Sequence, residues 1–225
     1  MTSLLILAHF RRFVRSRRAL ALTLGWLAFA VVIGLSAGAK NTGLRGALSV
    51  SYVGSALPFM SYAVISGIVG ENGLGATVWS FSLMGVPTRR AATSILFASL
   101  AMGAVLGLVS GVLVAVLGHG AMDPPLGGDL VTIAWVSALG GAAYTSLFLL
   151  GSSFWKGGGR GVLLALDWVL GGSGFFALFL PHGHLRSLFG GEPAFDVSQR
   201  VSSLALCALT VVLGAWAVRR ATRAK

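Results

Sequence analysis

Six long segments of the sequence are almost free of charge, and this pattern constrains the fold more than any other feature. The segments are 19–39, 46–70, 91–118, 130–155, 161–181 and 201–218, and Asp167 is the one charged residue inside them. A helix needs about 20 apolar residues to cross roughly 30 Å of hydrocarbon. The sequence therefore predicts an all-α integral membrane protein with six transmembrane helices, forming a single domain over residues 1–225.

The composition excludes an ordinary soluble domain. Charged residues make up 10% of the chain and apolar residues 56%, whereas a soluble domain carries about 25% charged residues. The high hydrophobicity also excludes an intrinsically disordered chain. The lone cysteine, Cys207, cannot form an internal disulfide or a cysteine-based metal cluster, and we predict no metal site.

The 17 basic residues are distributed unevenly between the loops. Lys and Arg are retained on the cytoplasmic side of membrane proteins. With the N-terminus inside, the cytoplasmic segments hold every basic residue except Lys40, Arg45, Arg186 and Arg200. We therefore predict a multi-pass protein of the cell (inner) membrane with both termini cytoplasmic. Because this placement explains the net charge of +11, the bilayer is the predicted partner and nucleic acid is not.

Residues 1–18 are predicted to form an amphipathic interface helix before the first span. Its apolar residues share one helical face and most of its arginines the opposite face: Ile6, Phe10, Phe13 and Val14 against Arg11, Arg12, Arg15 and Arg18. Such a helix lies in the membrane interface. It is either a plain anchor or an elbow that also contacts a cytoplasmic partner.

The cytoplasmic segment between spans two and three, residues 71–90, predicts a short helix beneath the bilayer. Leu74, Val78 and Phe81 have helical spacing, and Asn72 can cap the start of the helix. Gly85 and Pro87 end it. A short helix with an apolar face in this position could be bound by a soluble partner.

Within the spans, small and polar residues suggest where helices or ligands meet. Ser99, Gly103, Gly107 and Gly111 recur every four residues, which lets another helix approach closely, either within the chain or in a dimer. Asp167 is either a structural group or one that couples protons or substrate, since acids inside membranes are functional candidates. Pro58 is predicted to kink the second span.

The outer loop before the last span is semi-apolar and too short to cross the membrane. We predict a re-entrant segment there, starting near Pro181. His182 and His184 alternate in it, and Glu192 and Asp196 follow. Their spacing is generic for a metal site, so their role stays open.

Taken together, these features resemble the membrane subunits (permeases) of type-2 ATP-binding-cassette (ABC) exporters. The resemblance rests on an elbow helix before six spans and on the coupling-like segment from Glu71 to Val86-Pro87-Thr88-Arg89. It also rests on the loop Leu180-Pro181-His182-Gly183-His184-Leu185-Arg186 before the last span.

The resemblance implies a permease that pairs with a second copy or a paralogue and binds separate cytoplasmic ABC ATPase subunits. The coupling residues would be Glu71, Leu74, Val78, Trp79, Phe81 and Arg89. The translocation pathway would be lined by Tyr52, Phe59, Tyr62, Asp167, Phe175, Phe176 and Phe179. The chain has no Gly-x-x-x-x-Gly-Lys-Ser/Thr phosphate loop, so it is predicted not to be an enzyme, and ATP and Mg would bind the partner ATPase.

Two other functions remain open at this stage. An ATP-independent carrier could couple transport through Asp167. An intramembrane serine protease could use Ser173 in the run Gly171–Gly174, but it would need a histidine within hydrogen-bond reach on another helix.

Overall fold

The computed structural model contains helices and no strands in the part of the chain that it describes, which is residues 2–40, 43–120, 123, 125–172, 174–193 and 197–223. The helices are α1 (Thr2–Arg15), α2 (Arg17–Lys40), α3 (Leu44–Gly46), α4 (Leu57–Val69), α5 (Gly73–Leu83), α6 (Thr88–Gly118), α7 (Leu126–Gly151), α8 (Gly159–Leu170), α9 (Pro181–Leu188) and α10 (Gln199–Arg223). A π-helix, Ala47–Ala56, joins α3 to α4, and two short 3-10 helices, Trp155–Gly157 and Phe175–Phe179, lie on either side of α8.

Five segments of the described chain are long and apolar enough to cross a membrane: Arg17–Ala39, Leu44–Leu83, Thr88–Gly118, Leu126–Gly151 and Gln199–Arg223. They agree with five of the six predicted spans, and the chain is a multi-pass, all-helical membrane protein. The remaining prediction, a span over 161–181, is not confirmed, because no continuous helix covers it in the described residues. The structure has a helix of 12 residues there, α8, and at 1.5 Å per residue it is roughly 18 Å long.

Hydrogen bonds between residues far apart in the sequence identify the two ends of the bundle. At one end, which we call the basic end, Arg18 at the start of α2 pairs with Glu71 after α4, and Arg220 near the end of α10 donates to the carbonyl of Ser153 after α7. At the opposite end, the N–H of Leu44 donates to Asp123, which lies between α6 and α7.

The chain between α8 and α9 passes from the basic end to the opposite end in two pieces. The start of α8 packs on Gly151 at the end of α7, and the end of α9 leads to Gly190 beside Arg45. The break follows from the sequence Gly171-Gly172-Ser173-Gly174, in which Gly174 has a φ of +80°, a value that favours glycine. Pro181 then starts α9, where its missing N–H costs no hydrogen bond.

The closest helix pair is α6 and α7, and it uses the predicted ridge of small residues. Gly103 lies against Gly141 and Thr145, while Gly107 and Gly111 lie against Ser137. These residues of α7, Ser137, Gly141 and Thr145, also recur every four positions, so a ridge of small residues on α7 packs against the ridge on α6. The ridge of α6 therefore packs against another helix of the same chain, which is one of the two uses predicted for it.

The second apolar segment changes its helical type before Pro58. The N–H of Leu57 donates to the carbonyl of Tyr52, five residues earlier, and the regular α-helix begins at Leu57. A proline ring crowds the carbonyl four residues before it, and the wider turn of a π-helix relieves this contact. A ten-residue π-helix thus ends just before Pro58, and the kink predicted at Pro58 stays a prediction.

Helix α1 is fastened to the bundle through His9, which is fully buried. Its Nε2 lies 3.1 Å from Oγ of Ser94 in α6, and its ring meets the edge of Phe81 in α5 with 5.0 Å between centroids. Because the Ser94 hydroxyl donates to the carbonyl of Ala91, the histidine nitrogen is the donor in their bond.

The docking of α1 is expected to weaken in acid. Burial, together with nearby Arg12, lowers the pKa of His9 from 6.5 to about 4. The folded protein therefore holds the neutral ring, and the free energy of unfolding is greatest above pH 6.5 and falls as the pH drops towards 4. Melting temperatures measured at pH 7.5 and 5 should differ more for the native chain than for His9→Gln. Equal differences in the two proteins would contradict this role of His9.

Candidate functional site

Helix α5 lies at the basic end and is hydrogen-bonded to the ends of two spans. The N–H of Leu74 donates to the carbonyl of Ser152, 2.8 Å away, at the end of α7. The hydroxyl of Thr77 donates to the carbonyl of Val69, the last residue of α4. Gly73, with φ +85°, leaves no room for a side chain beside Ser152 and Gly157. Helix α5 is thus hydrogen-bonded to the ends of both α4 and α7.

The residues on the buried and the exposed face of α5 are not the ones that the sequence predicted. Leu74 and Val78, predicted to contact an ATPase, are 0% and 2% exposed and pack into the core. Phe81 is partly buried against the same core. The apolar residues that face outward are Trp79, Leu83 and Met84, exposed by 59%, 72% and 69%. Periodicity alone identified an apolar face, but that face holds α5 on the bundle.

The remaining predicted coupling residues are exposed at the same end. Glu71 pairs with Arg18 at 2.8 Å, and both side chains are more than 80% exposed, so the pair contributes little to stability. Arg89 is exposed at the start of α6. Asn72 stands before α5, but its side chain makes no capping bond there. The carbonyl of Ser152 takes over this role by accepting from Leu74.

Arg160 is a residue of this region whose role the sequence analysis missed. It is 5% exposed, and its guanidinium donates to Gly157 O, Ser66 Oγ and Gly70 O at 3.0–3.2 Å. It also lies over the ring of Tyr62, 5.7 Å from the centroid. These bonds join the start of α8 to the end of α4. The sequence feature that pointed to close packing here was the run of glycines before Arg160, Gly157–Gly159.

Asp167 lies at the break between α8 and α9 and is 1% exposed. Its Oδ2 accepts from the hydroxyl of Tyr144 at 2.9 Å, and its Oδ1 accepts from the N–H of His182 at 3.3 Å. The Nδ1 of His182 is 3.8 Å from Oδ2. The carboxyl group therefore links α7, α8 and the first turn of α9, where a helix favours an anion.

The structure does not bring the predicted pathway residues to one surface. Tyr52 is fully buried and its hydroxyl contacts Gly107 O and Ser110 Oγ. Phe59 stacks on Trp26 with 4.6 Å between centroids, and Tyr62 meets Phe148. Three phenylalanines instead face outward on the segment after α8, each 56–58% exposed: Phe175, Phe176 and Phe179.

The segment predicted to be re-entrant contains α9, and its two histidines point to different partners. His182 faces Asp167, whereas Nε2 of His184 donates to the carbonyl of Leu178 at 2.9 Å. Glu192 is 3.6 Å from Arg186. Across the residues that the structure describes, no group of three or more His, Cys, Asp or Glu side chains could hold a metal ion. Asp196 and Ser173 lie outside those residues.

The geometry offers two chemically distinct places. Helix α5 presents exposed apolar side chains at the basic end and is hydrogen-bonded to the ends of two spans. The cluster around Asp167 can hold a proton or orient a helix, because a phenol and an imidazole each lie within 4 Å of its carboxyl group. Comparisons with protein-family models, curated proteins and solved structures give no match for this chain.

Proposed function

We propose that this protein is the membrane permease of an ABC exporter, powered by separate ATPase subunits that bind ATP and Mg. In this proposal the basic end faces the cytoplasm of the cell, and α5 is the coupling helix. A second copy or a paralogue completes the translocation pathway.

The observation that carries the proposal is the combination of an exposed apolar face on α5 with hydrogen bonds from α5 to the ends of two spans. Trp79, Leu83 and Met84 are exposed at the basic end, where the arginines place the helix near water and headgroups rather than hydrocarbon. The opposite face of α5 is bonded to the ends of α4 and α7. A partner that binds and moves α5 would therefore move spans as well, which is what a coupling device must do.

A second subunit is supported by the placement of the predicted pathway residues. Tyr52 and Asp167 are buried inside the bundle, while Phe175, Phe176 and Phe179 are exposed on its side. Exposed phenylalanines can pack on lipid or on another subunit, and a passage between two chains could be lined by them. Pairing also suits a permease driven by paired ATPase domains.

We expect Leu83→Asp and Trp79→Asp to abolish co-purification with the ATPase subunit. A charged group in the centre of an apolar contact is left desolvated and unpaired, and such changes cost 2 kcal/mol or more, at least about 30-fold in affinity. The measurement is affinity purification of the tagged chain from its own host, with bound proteins identified by mass spectrometry and ATPase activity assayed in the eluate.

Asn72→Asp is the matched control, because it adds the same charge at an exposed site one residue before α5. This variant should retain the partner. Leu74→Asp is not informative, since Leu74 is buried and its substitution would damage the fold. If the Leu83 and Trp79 variants keep a full complement of ATPase, α5 is not the docking helix.

A carrier that works without ATP is the second candidate, and the burial of Asp167 beside Tyr144 and His182 favours it. Such a carrier would move its substrate in proteoliposomes under a proton gradient alone. Asp167→Asn would then stop transport. Transport that requires added ATPase and ATP would exclude this function and support the exporter.

A further inference from the structure

A cavity of about 480 Å³ lies at the basic end, between α1, the start of α2 and the end of α4. Its lining includes four arginines: Arg12, Arg15, Arg18 and Arg160. Ser16, at the junction of α1 and α2, also lines it, so the N-terminus of a 24-residue helix borders the cavity. A helix N-terminus and a set of guanidinium groups both favour an anion.

The positive charge of this cavity is only partly neutralised. Glu71 is the acidic residue of its lining, and it is paired with Arg18. Arg160 donates to three neutral oxygen atoms. Within the described residues, Arg12, Arg15 and Arg160 have no carboxylate within ion-pair distance. Arg12 extends towards Gly70, on the wall opposite its own helix. Three guanidinium groups that form no ion pair among the described residues therefore line one space.

The shape of the cavity adds a second requirement for its ligand. Ala19 and Leu22 of α2 line the cavity together with the arginines, and so do Tyr62 and Ser66. Leu22 is 45% exposed and faces the side of the bundle, where hydrocarbon would be. The cavity thus offers donors for an anion and, next to them, a surface for an alkyl chain.

We propose that this cavity binds the phosphate group of an anionic phospholipid, with the acyl chains lying along Leu22. Arginine matches phosphate because its planar fork can donate two parallel hydrogen bonds. Basic pockets at the ends of membrane helices are suited to anionic headgroups. The bound lipid would hold α1 against α2 and α4 by neutralising the arginines that otherwise repel one another. This site does not depend on the proposed transport function.

The test compares lipid binding by the full chain and by two double variants with the same loss of charge. Arg12→Gln/Arg15→Gln removes two exposed arginines of the cavity, and Arg11→Gln/Arg17→Gln removes two that lie outside its lining. Binding of phosphatidylglycerol, phosphatidylcholine and soluble glycerol 3-phosphate would be measured by native mass spectrometry in detergent. Circular dichroism would verify that each variant is folded.

We expect the native chain to bind phosphatidylglycerol at least tenfold more tightly than phosphatidylcholine. The cavity variant should raise the dissociation constant for phosphatidylglycerol by roughly 30-fold, since each of its two arginines contributes about fivefold in affinity through hydrogen bonds to the phosphate. Arg11 and Arg17 lie outside the lining and cannot make these bonds. The control variant should change it less than threefold. Equal losses in the two variants would overturn the site, because diffuse surface charge would explain them. Glycerol 3-phosphate binding as tightly as the lipid would overturn a lipid as the occupant.

Discussion

Replacing Gly141 by alanine is expected to destabilise the bundle strongly. A Cβ atom at this position would lie closer than van der Waals contact to the backbone carbonyl of Gly103 on the facing helix. Backbone atoms cannot rotate away as a side chain can, so α6 and α7 would have to separate along their whole interface. Overpacking typically costs 1–3 kcal/mol, and we expect about 3 kcal/mol here, or roughly 6–12 °C in melting temperature.

Gly25→Ala supplies the matched control for this prediction. Gly25 is also a glycine inside a long apolar helix, but an added Cβ meets nothing within 4 Å. Its substitution should leave the melting temperature nearly unchanged or slightly higher, because alanine favours helix over glycine. The measurement is thermal unfolding in detergent followed by size-exclusion chromatography. Equal effects of the two substitutions would show that the contact between α6 and α7 is not as close as described.

Asp167→Ala should cost about 3–5 kcal/mol of unfolding free energy, because it leaves two buried donors without an acceptor. These are the hydroxyl of Tyr144 and the N–H of His182. Asp167→Asn keeps an oxygen for one of them and should cost less. Tyr144→Phe removes a single bond and should cost about 1–2 kcal/mol. The order Ala, Asn, Phe is therefore the expected ranking of destabilisation.

The two partners should also be energetically coupled. In a double-mutant cycle, Tyr144→Phe should cost less in the Asp167→Ala background than in the native chain, since its acceptor is already missing. The same thermal assay gives all four corners of the cycle. Strictly additive effects, or an Asp167→Ala protein as stable as the native chain, would contradict the bond between these side chains. Either result is independent of whether the protein transports anything.

Much of the fold could be predicted because the bilayer restricts the choices. Five apolar stretches without charge correspond to long helices, and the small-residue spacing in α6 identified the ridge that packs on α7. Hydropathy did not detect the break after Leu170, because it averages over a window and takes no account of backbone angles. The glycines at 171, 172 and 174 carried that information.

The candidate site was predicted less well than the fold. Helical spacing locates an apolar face on α5, but spacing cannot say whether that face meets the bundle or a partner. Leu74 and Val78 proved to be the buried side, and Trp79 the exposed one. Arg160 was missed as a link because its bonds reach Ser66 and Gly70, about 90 residues earlier in the chain. Such long-range contacts leave no local pattern.

The link between α5 and α7 is made by peptide groups, the N–H of Leu74 and the carbonyl of Ser152. Peptide groups persist under almost any substitution, so exchanging the outer residues of α5 leaves this bond in place. Trp79, Leu83 and Met84 point away from it. The outer surface of the helix is therefore free to diverge among relatives, or to be redesigned for a new partner, without loss of the hydrogen bond that joins α5 to α7.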